Sequence, residues 1–257
     1  MSFISELFDI RGKNVIITGG ARGNGKEISL SLAKAGAIVT LCDELEEELK
    51  TTVKEIERLG GSSNYFVTDL SISNNIDKFI RFIKDTFDHV DVLVNNAGIS
   101  LGHHAIDYPE EYWDKTYNVN LKAVYKLSTM IAKQMKDKGG SIINITSLAA
   151  EQAFPENIAY VTFKAGLKQF SKALALDLAK FNIRVNNIGP GYIRTNMTLK
   201  SWNDDKMNQE RKNRTMLGRW GKPIDLVGAV IFLASEASSY ITAQDIYVDG
   251  GWLSKGL

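Results

Sequence analysis

The sequence predicts an α/β fold: a single domain built on a doubly wound, parallel, seven-stranded sheet. Two patterns predict it. Short apolar, β-branched runs alternate with longer helical segments along the chain, and each run is continuously apolar, as a strand covered on both faces must be. A glycine-rich turn joins the first run to the first helix. Right-handed crossovers then lay helices on both faces, in the Rossmann arrangement.

Taken in order, residues 13–18 (KNVIIT) form the first strand and 25–35 the first helix. Residues 37–42 (AIVTLC) precede a helix over 44–59, on which Glu46, Glu47 and Glu48 read as a solvated face. Residues 63–67 (SNYFV) precede a helix over 72–87, and 91–94 (DVLV) a long one over 110–136. Residues 141–145 (SIINI) end in Thr146-Ser147, followed by an irregular stretch containing Pro155 and a helix over 158–181. Residues 183–188 (IRVNNI), a helix over 224–235 and 246–248 (IYV) complete the set. The polar, irregular segment 191–223, with Trp202 and Trp220, is expected to be a substrate loop or lid with short helices of its own. The competing expectation is a cover for the core or an oligomer contact. With no repeat, low-complexity tract or Pro/Ser linker, one domain over 1–257 is the economical reading.

The chain has 257 residues, 44% hydrophobic and 24% charged, with a formal charge of +1. That balance gives no electrostatic case for nucleic acid or membrane partners. Cys42 is the single cysteine, so no intrachain disulfide forms, and a reducing compartment fits. No basic segment leads into a long apolar core at the N-terminus, and no run reaches spanning length; the expectation is a soluble, cytoplasmic protein.

Two ends of a site are legible. After the first strand, TGGARGNG (18–25) opens directly into a helix. Gly19 permits the tight turn, Gly23 leaves room for phosphate at the helix N-terminus, and Gly25 allows close packing of helix on strand. The plain alternative is a tight strand–helix turn. Asp43, at the end of the second strand, is placed to accept both hydroxyls of an adenosine ribose and to repel a 2′-phosphate, which favours NAD over NADP. Arg22 is the counter-argument, and Asp43 could also cap the following helix. At the other end, Tyr160 and Lys164 lie four apart on a helix and so share a face. A phenol titrates near about 10, and a neighbouring ammonium lowers that value, making the tyrosine a competent acid–base group. Ser147, at a strand's C-terminal end, can hydrogen-bond the same substrate oxygen.

On these residues the sequence resembles the short-chain dehydrogenase/reductase family over about residues 12–252. The resemblance rests on TGGARGNG, Asp43, Asp69-Leu70, NNAG (95–98), NVN (118–120), Ser147, Tyr160 with Lys164, PGYIRT (190–195) and VDGG (248–251). It implies a catalytic set of Asn120, Ser147, Tyr160 and Lys164, with Lys164 also binding the nicotinamide ribose and Asn120 holding a water. It implies cofactor contacts from Gly19, Arg22, Gly23, Asn24, Gly25, Asp43, Asp69, Leu70, Asn95, Gly98, Pro190, Ile193 and Thr195. The bland reading of NNAG and VDGG is backbone support. Asn24, Gly189 and Ala243 depart from the family's usual residues. A homotetramer is implied as well, built through the helices over 110–136 and 158–181 and the C-terminal GWLSKGL.

Residues 218–252 resemble most the sugar-acid dehydrogenases of the family, the gluconate 5-dehydrogenases and 2-deoxygluconate 3-dehydrogenases. The 3-oxoacyl-carrier-protein reductases share nearly the same tail. The expected pocket wall is polar: Ser100, His103, His104, Glu151, Gln152, Asn157, Tyr192 and Asn196. It suits a small polyhydroxylated alcohol or ketone, because each buried hydroxyl needs a partner. Arg194 and Arg219 are the candidates for gripping a carboxylate. His103-His104 is not read as a metal site, since adjacent residues rarely face one ion. The expectation is thus an NAD-dependent oxidoreductase of sugars or sugar acids. Its alternatives are an NADPH-dependent 3-oxoacyl reductase, with Lys200, Lys206, Arg211, Lys212 and Arg214 facing an acidic carrier, and a non-catalytic NAD sensor.

Overall fold

The computed structural model describes residues 2–255. Strands β1 (Asn14–Thr18), β2 (Ile38–Asp43), β3 (Ser62–Val67), β4 (Val92–Asn95), β5 (Gly140–Ile145), β6 (Ile183–Pro190) and β7 (Asp245–Val248) form one seven-stranded sheet, ordered β3-β2-β1-β4-β5-β6-β7. Every pairing is parallel. The apolar runs are explained by their two faces. Val15 and Ile17 of β1 pack into one core and Ile16 between them into the other, all fully buried.

The first core is covered by α2 (Gly23–Lys34), α3 (Glu46–Arg58) and α10 (Ile224–Ala234), through Ile28, Leu49, Ile56, Leu226 and Val230. The second is covered by α4 (Ser73–Thr86), α6 (Ala123–Met135) and α7 (Ile158–Leu178), through Phe79, Ile83, Leu127, Ile131 and Leu174. A short α1 (Phe3–Leu7) precedes β1. Strand order reverses between β1 and β4, so the carboxyl ends of these strands diverge and leave a crevice there.

One expected element is broken, and two residues that depart from the family's usual ones sit at special places. The helix over 110–136 is not continuous: α5 (Glu110–Tyr117) passes into a π turn, Asn118–Lys122, before α6. The wider turn brings Asn120 inward, where it is fully buried. Gly189 is required by Tyr247, because a Cβ there would lie 2.3 Å from the tyrosine ring. Ala243 sits at φ 60°, the left-handed region where a Cβ costs about 1–2 kcal/mol. Segment 191–223 holds α8 (Leu199–Asn203) and α9 (Asp205–Arg214), as expected of a long segment that must satisfy its own backbone. Of GWLSKGL, the last two residues lie outside the described residues. No helix among those described is long and apolar enough to cross a membrane.

Candidate active site

Ser147 lies two residues past the end of β5, and its Oγ accepts from the Ala149 N–H at 3.1 Å. Tyr160 and Lys164 occupy the first turns of α7, which starts over that same strand end. Lys164 is buried and donates from Nζ to the Ile145 carbonyl at 2.7 Å. Its Nζ lies 5.7 Å from the centre of the Tyr160 ring. The Ser147 side chain stands beside the Tyr160 hydroxyl, close enough to act on its proton affinity. Asn120 spends both ends of its amide on Ile99, donating to its carbonyl at 2.8 Å and accepting its N–H at 2.9 Å. Gly98 closes the group: a Cβ there would stand 3.4 Å from Lys164 Nζ and 3.5 Å from Asn120 Oδ1.

Burial sets the protonation. It raises the Tyr160 phenol above its usual value, with Ser147 pulling the other way, and it lowers Lys164 to about 8. Both groups are pushed toward their neutral forms. The expected lowering of the phenol by the ammonium is therefore not what the arrangement gives. Desolvation outweighs attraction, and one of the lysine's three donors is directed at a backbone carbonyl.

Ser147, Tyr160 and Lys164 face a cavity of about 470 Å³, shared with Gly98, Pro190, Ile193 and Thr195. It continues into a second cavity of about 650 Å³ that follows the crevice to Gly19, Arg22, Gly23, Asp43, Asp69 and Leu70. Asn24, Asn96, Gly98, Ser100, Thr195 and Met197 line both. The floor of the second cavity is braced. Thr18 Oγ1 accepts from the Asn96 and Ala97 N–H groups, each at 3.0 Å, and Asn96 donates to the Thr18 and Gly19 carbonyls at 2.9 and 3.1 Å. Gly19 has φ 69°, and a Cβ on Gly25 would fall 1.9 Å from the Gly19 oxygen. Arg22, at the N-cap of α2, makes no side-chain cap, so the first N–H groups of that helix are left for another acceptor. Asn24 Oδ1 is buried without a partner. An elongated, anionic, two-ended ligand fits this cradle, and a nicotinamide dinucleotide has those properties.

The comparisons agree. A family model described as enoyl-(acyl carrier protein) reductase matches residues 19–253. The 3-oxoacyl-[acyl-carrier-protein] reductase of Thermotoga maritima is 39% identical over 94% of this chain and 98% of that one. The 5-keto-D-gluconate 5-reductase of Escherichia coli is 34% identical over 97% of this chain and 99% of that one. The chain belongs to the short-chain dehydrogenase/reductase family. A crystal structure of a gluconate 5-dehydrogenase from Burkholderia cenocepacia, in complex with NADP and tartrate, superposes with a TM-score of 0.94 at 31% identity, covering 98% of this chain and 100% of that one. As a member of this dehydrogenase/reductase family the protein is a nicotinamide-dependent oxidoreductase of CH–OH groups.

Within that dehydrogenase frame, most of the predicted site residues converge and a few do not. Asn95 lines neither cavity; it is buried under the sheet and donates to Ser128 Oγ at 3.0 Å and Asn144 Oδ1 at 2.8 Å. Its neighbour Asn96 faces the cleft instead. Asp43 lines the cleft while accepting from the Ala21 and Leu45 N–H groups at 3.0 and 3.2 Å, so it also braces the turn. Asp69 accepts from the Ser71 N–H at 2.7 Å. Gly25 packs beneath the cleft rather than lining it.

Of the expected pocket wall, Ser100, Asn157, Tyr192 and Asn196 line the two cavities. Ser100 donates to Asn157 Oδ1 at 2.7 Å. His103 and His104 are exposed and line neither cavity, and no group of three potential metal ligands occurs among the described residues. Glu151 and Gln152 turn outward, with Glu151 bound by Lys168 and the Tyr247 hydroxyl. Sequence reasoning missed Met197, Met207 and Arg211 on the wall. Nothing in their local pattern separates them from ordinary residues of a polar helix.

Proposed function

We propose that the chain is an NAD-dependent dehydrogenase/reductase acting on a secondary alcohol or ketone of a sugar acid. The observation behind this reading is the shared cavity of Ser147, Tyr160 and Lys164, continuous with a dinucleotide-shaped cleft. Ser147 holds the substrate oxygen, and the Tyr160 hydroxyl on the same cavity wall gives or takes the proton at that oxygen. Lys164, anchored on Ile145, keeps two donors for the ribose and for the phenolate that forms during transfer. Asn120 fixes the backbone at Ile99, next to Gly98 on the wall of both cavities. The nicotinamide, when bound, supplies or accepts the hydride. Residues 191–223 act as the substrate loop, since Tyr192, Thr198, Ser201, Met207 and Arg211 all line the cavity.

NAD is preferred because Asp43 stands on the cleft wall. A carboxylate about 4 Å from a 2′-phosphate costs about 1 kcal/mol in water and more in a cleft, a discrimination of at least about fivefold. The NADP in the Burkholderia relative argues the other way, so the two coenzymes are to be compared directly. Steady-state assays of sugar acids and neutral sugars with each are expected to give the best kcat/KM for a sugar acid with NAD. A preference for NADP contradicts the role given to Asp43.

The second reading, a 3-oxoacyl reductase, is favoured by the Thermotoga relative and by Phe154, Met197 and Met207 in the cavity wall. Its acidic carrier would need a free basic patch. The candidate patch of Lys200, Lys206, Arg211, Lys212 and Arg214 is interspersed with Asp204, Asp205 and Glu210, which offset its charge. Including 3-oxoacyl thioesters in the same assays decides between the two.

We also propose a homotetramer, in keeping with the exposed Trp113, Tyr117 and Tyr125 of α5 and α6. Light scattering is expected to report four copies at micromolar concentration, and a monomer there removes the proposal.

A further inference from the structure

Arg211 on α9 reaches into the same cavity as Ser147 and Tyr160. Its guanidinium carbon lies 4.6 Å above the ring of Tyr192, which is itself held edge-on by Trp220 at 5.4 Å. The plane of the fork is thereby fixed. Its Nε is buried and has no hydrogen-bond partner, and Arg211 makes no ion pair among the described residues. A buried charged donor left unmet is costly, and a planar guanidinium supported on one face is the usual receptor for a carboxylate approaching its edge.

The other arginines near the site are committed elsewhere. Arg219 is bidentate to Asp225 at 2.8 and 3.1 Å, and Arg194 stacks 4.3 Å over Trp202 without lining the cavity. Arg194 and Arg219, the candidates from sequence, are thus replaced. The remaining cation of the cavity, Lys164, is turned to Ile145. Glu156 is the carboxylate on the wall, and it forms no ion pair with Arg211.

We propose that Arg211 recognises the substrate's carboxylate, so that the preferred substrate is an open-chain polyhydroxy monocarboxylic acid whose reacting carbon sits at Tyr160. This rests on the sugar-acid reading above. It makes Arg211 a specificity-determining residue, without a part in the proton or hydride transfer.

The test uses the full-length enzyme and the variants Arg211→Met and Arg211→Lys. Hexonates and the matching neutral hexitols are the substrates, and direct titration of a hexonate into the enzyme with dinucleotide gives a second readout. Arg211→Met is expected to lower kcat/KM for the hexonate by about 10- to 100-fold, mostly through KM, and to weaken hexonate binding by a similar factor. Arg211→Lys should recover part of both. The ratio of hexonate to hexitol turnover should fall with the charge. Dinucleotide binding by each variant reports that it is folded. Wild-type turnover of hexonates with Arg211→Met undiminished overturns the Arg211 assignment alone. An equal loss on hexonates and hexitols does the same. A wild-type enzyme that reduces 3-oxoacyl thioesters and ignores hexonates overturns both this inference and the sugar-acid reading.

Discussion

Replacing Tyr160 by phenylalanine is expected to lower kcat by about 10²–10⁴-fold, the range assigned to a positioned acid–base group. The nicotinamide dinucleotide should still bind. The reason lies in how little else the substitution removes. Phenylalanine keeps the ring that packs beside Lys164 and loses only the hydroxyl that meets Ser147. Ser147, the hydroxyl beside it, is an alcohol and far too weak a base to take its place.

The pH profile adds a second signature. Tyr160 is raised and Lys164 is lowered to about 8, both by burial. Alcohol oxidation should therefore climb as pH rises from neutrality, as the phenol approaches its deprotonated form, and the variant should lose that limb. Lys164 is depressed relative to an unfolded lysine, so its contribution to stability also improves as pH rises above about 8. Undiminished turnover by Tyr160→Phe would show that the proton moves through another group.

What the sequence made legible follows from which interactions are local. The central strands could be read because they are apolar on both sides, as β1 shows with Val15 and Ile17 in one core and Ile16 in the other. Tyr160 and Lys164 could be paired because a helix fixes residues four apart on one face. The glycine turn could be read because tight approach leaves no other residue type. What stayed hidden depends on contacts between distant segments. Which asparagine of the pair 95 and 96 faces the cleft depends on where β4 ends against β5, and a one-residue difference exchanges the faces. That Gly189 answers to Tyr247, or that Asn120 meets Ile99 through a π turn, requires the sheet to be assembled first. Arg211 could not be preferred over Arg194 and Arg219, because charge alone does not say which guanidinium enters the cavity and which is already paired.

Gly25→Ala tests the cradle as sharply as Tyr160→Phe tests the chemistry, and it comes with an internal control. The added Cβ would lie 1.9 Å from the Gly19 carbonyl oxygen and 2.5 Å from Asn96 Nδ2. Neither neighbour is free to yield. Gly19 is held in a turn at φ 69°, and Asn96 is committed to the Thr18 and Gly19 carbonyls. The start of α2 must then lift from the end of β1, which breaks the brace under the phosphate end. Overpacking into yielding side chains costs about 1–3 kcal/mol, and displacing backbone costs more. A loss of about 3 kcal/mol corresponds to a fall in Tm of about 6–12 °C for a chain of this size. Dinucleotide binding should weaken by at least about 100-fold, since the helix N-terminus that receives the anion is the part displaced.

Gly228 in α10 is exposed and has nothing within 4 Å of the same Cβ position. There the identical substitution should raise stability by about 0.5–1 kcal/mol, through helix propensity. Thermal melts of the two variants should thus move in opposite directions. If Gly25→Ala melts with the wild type and keeps its dinucleotide, close approach of α2 to β1 is not what the glycine supplies.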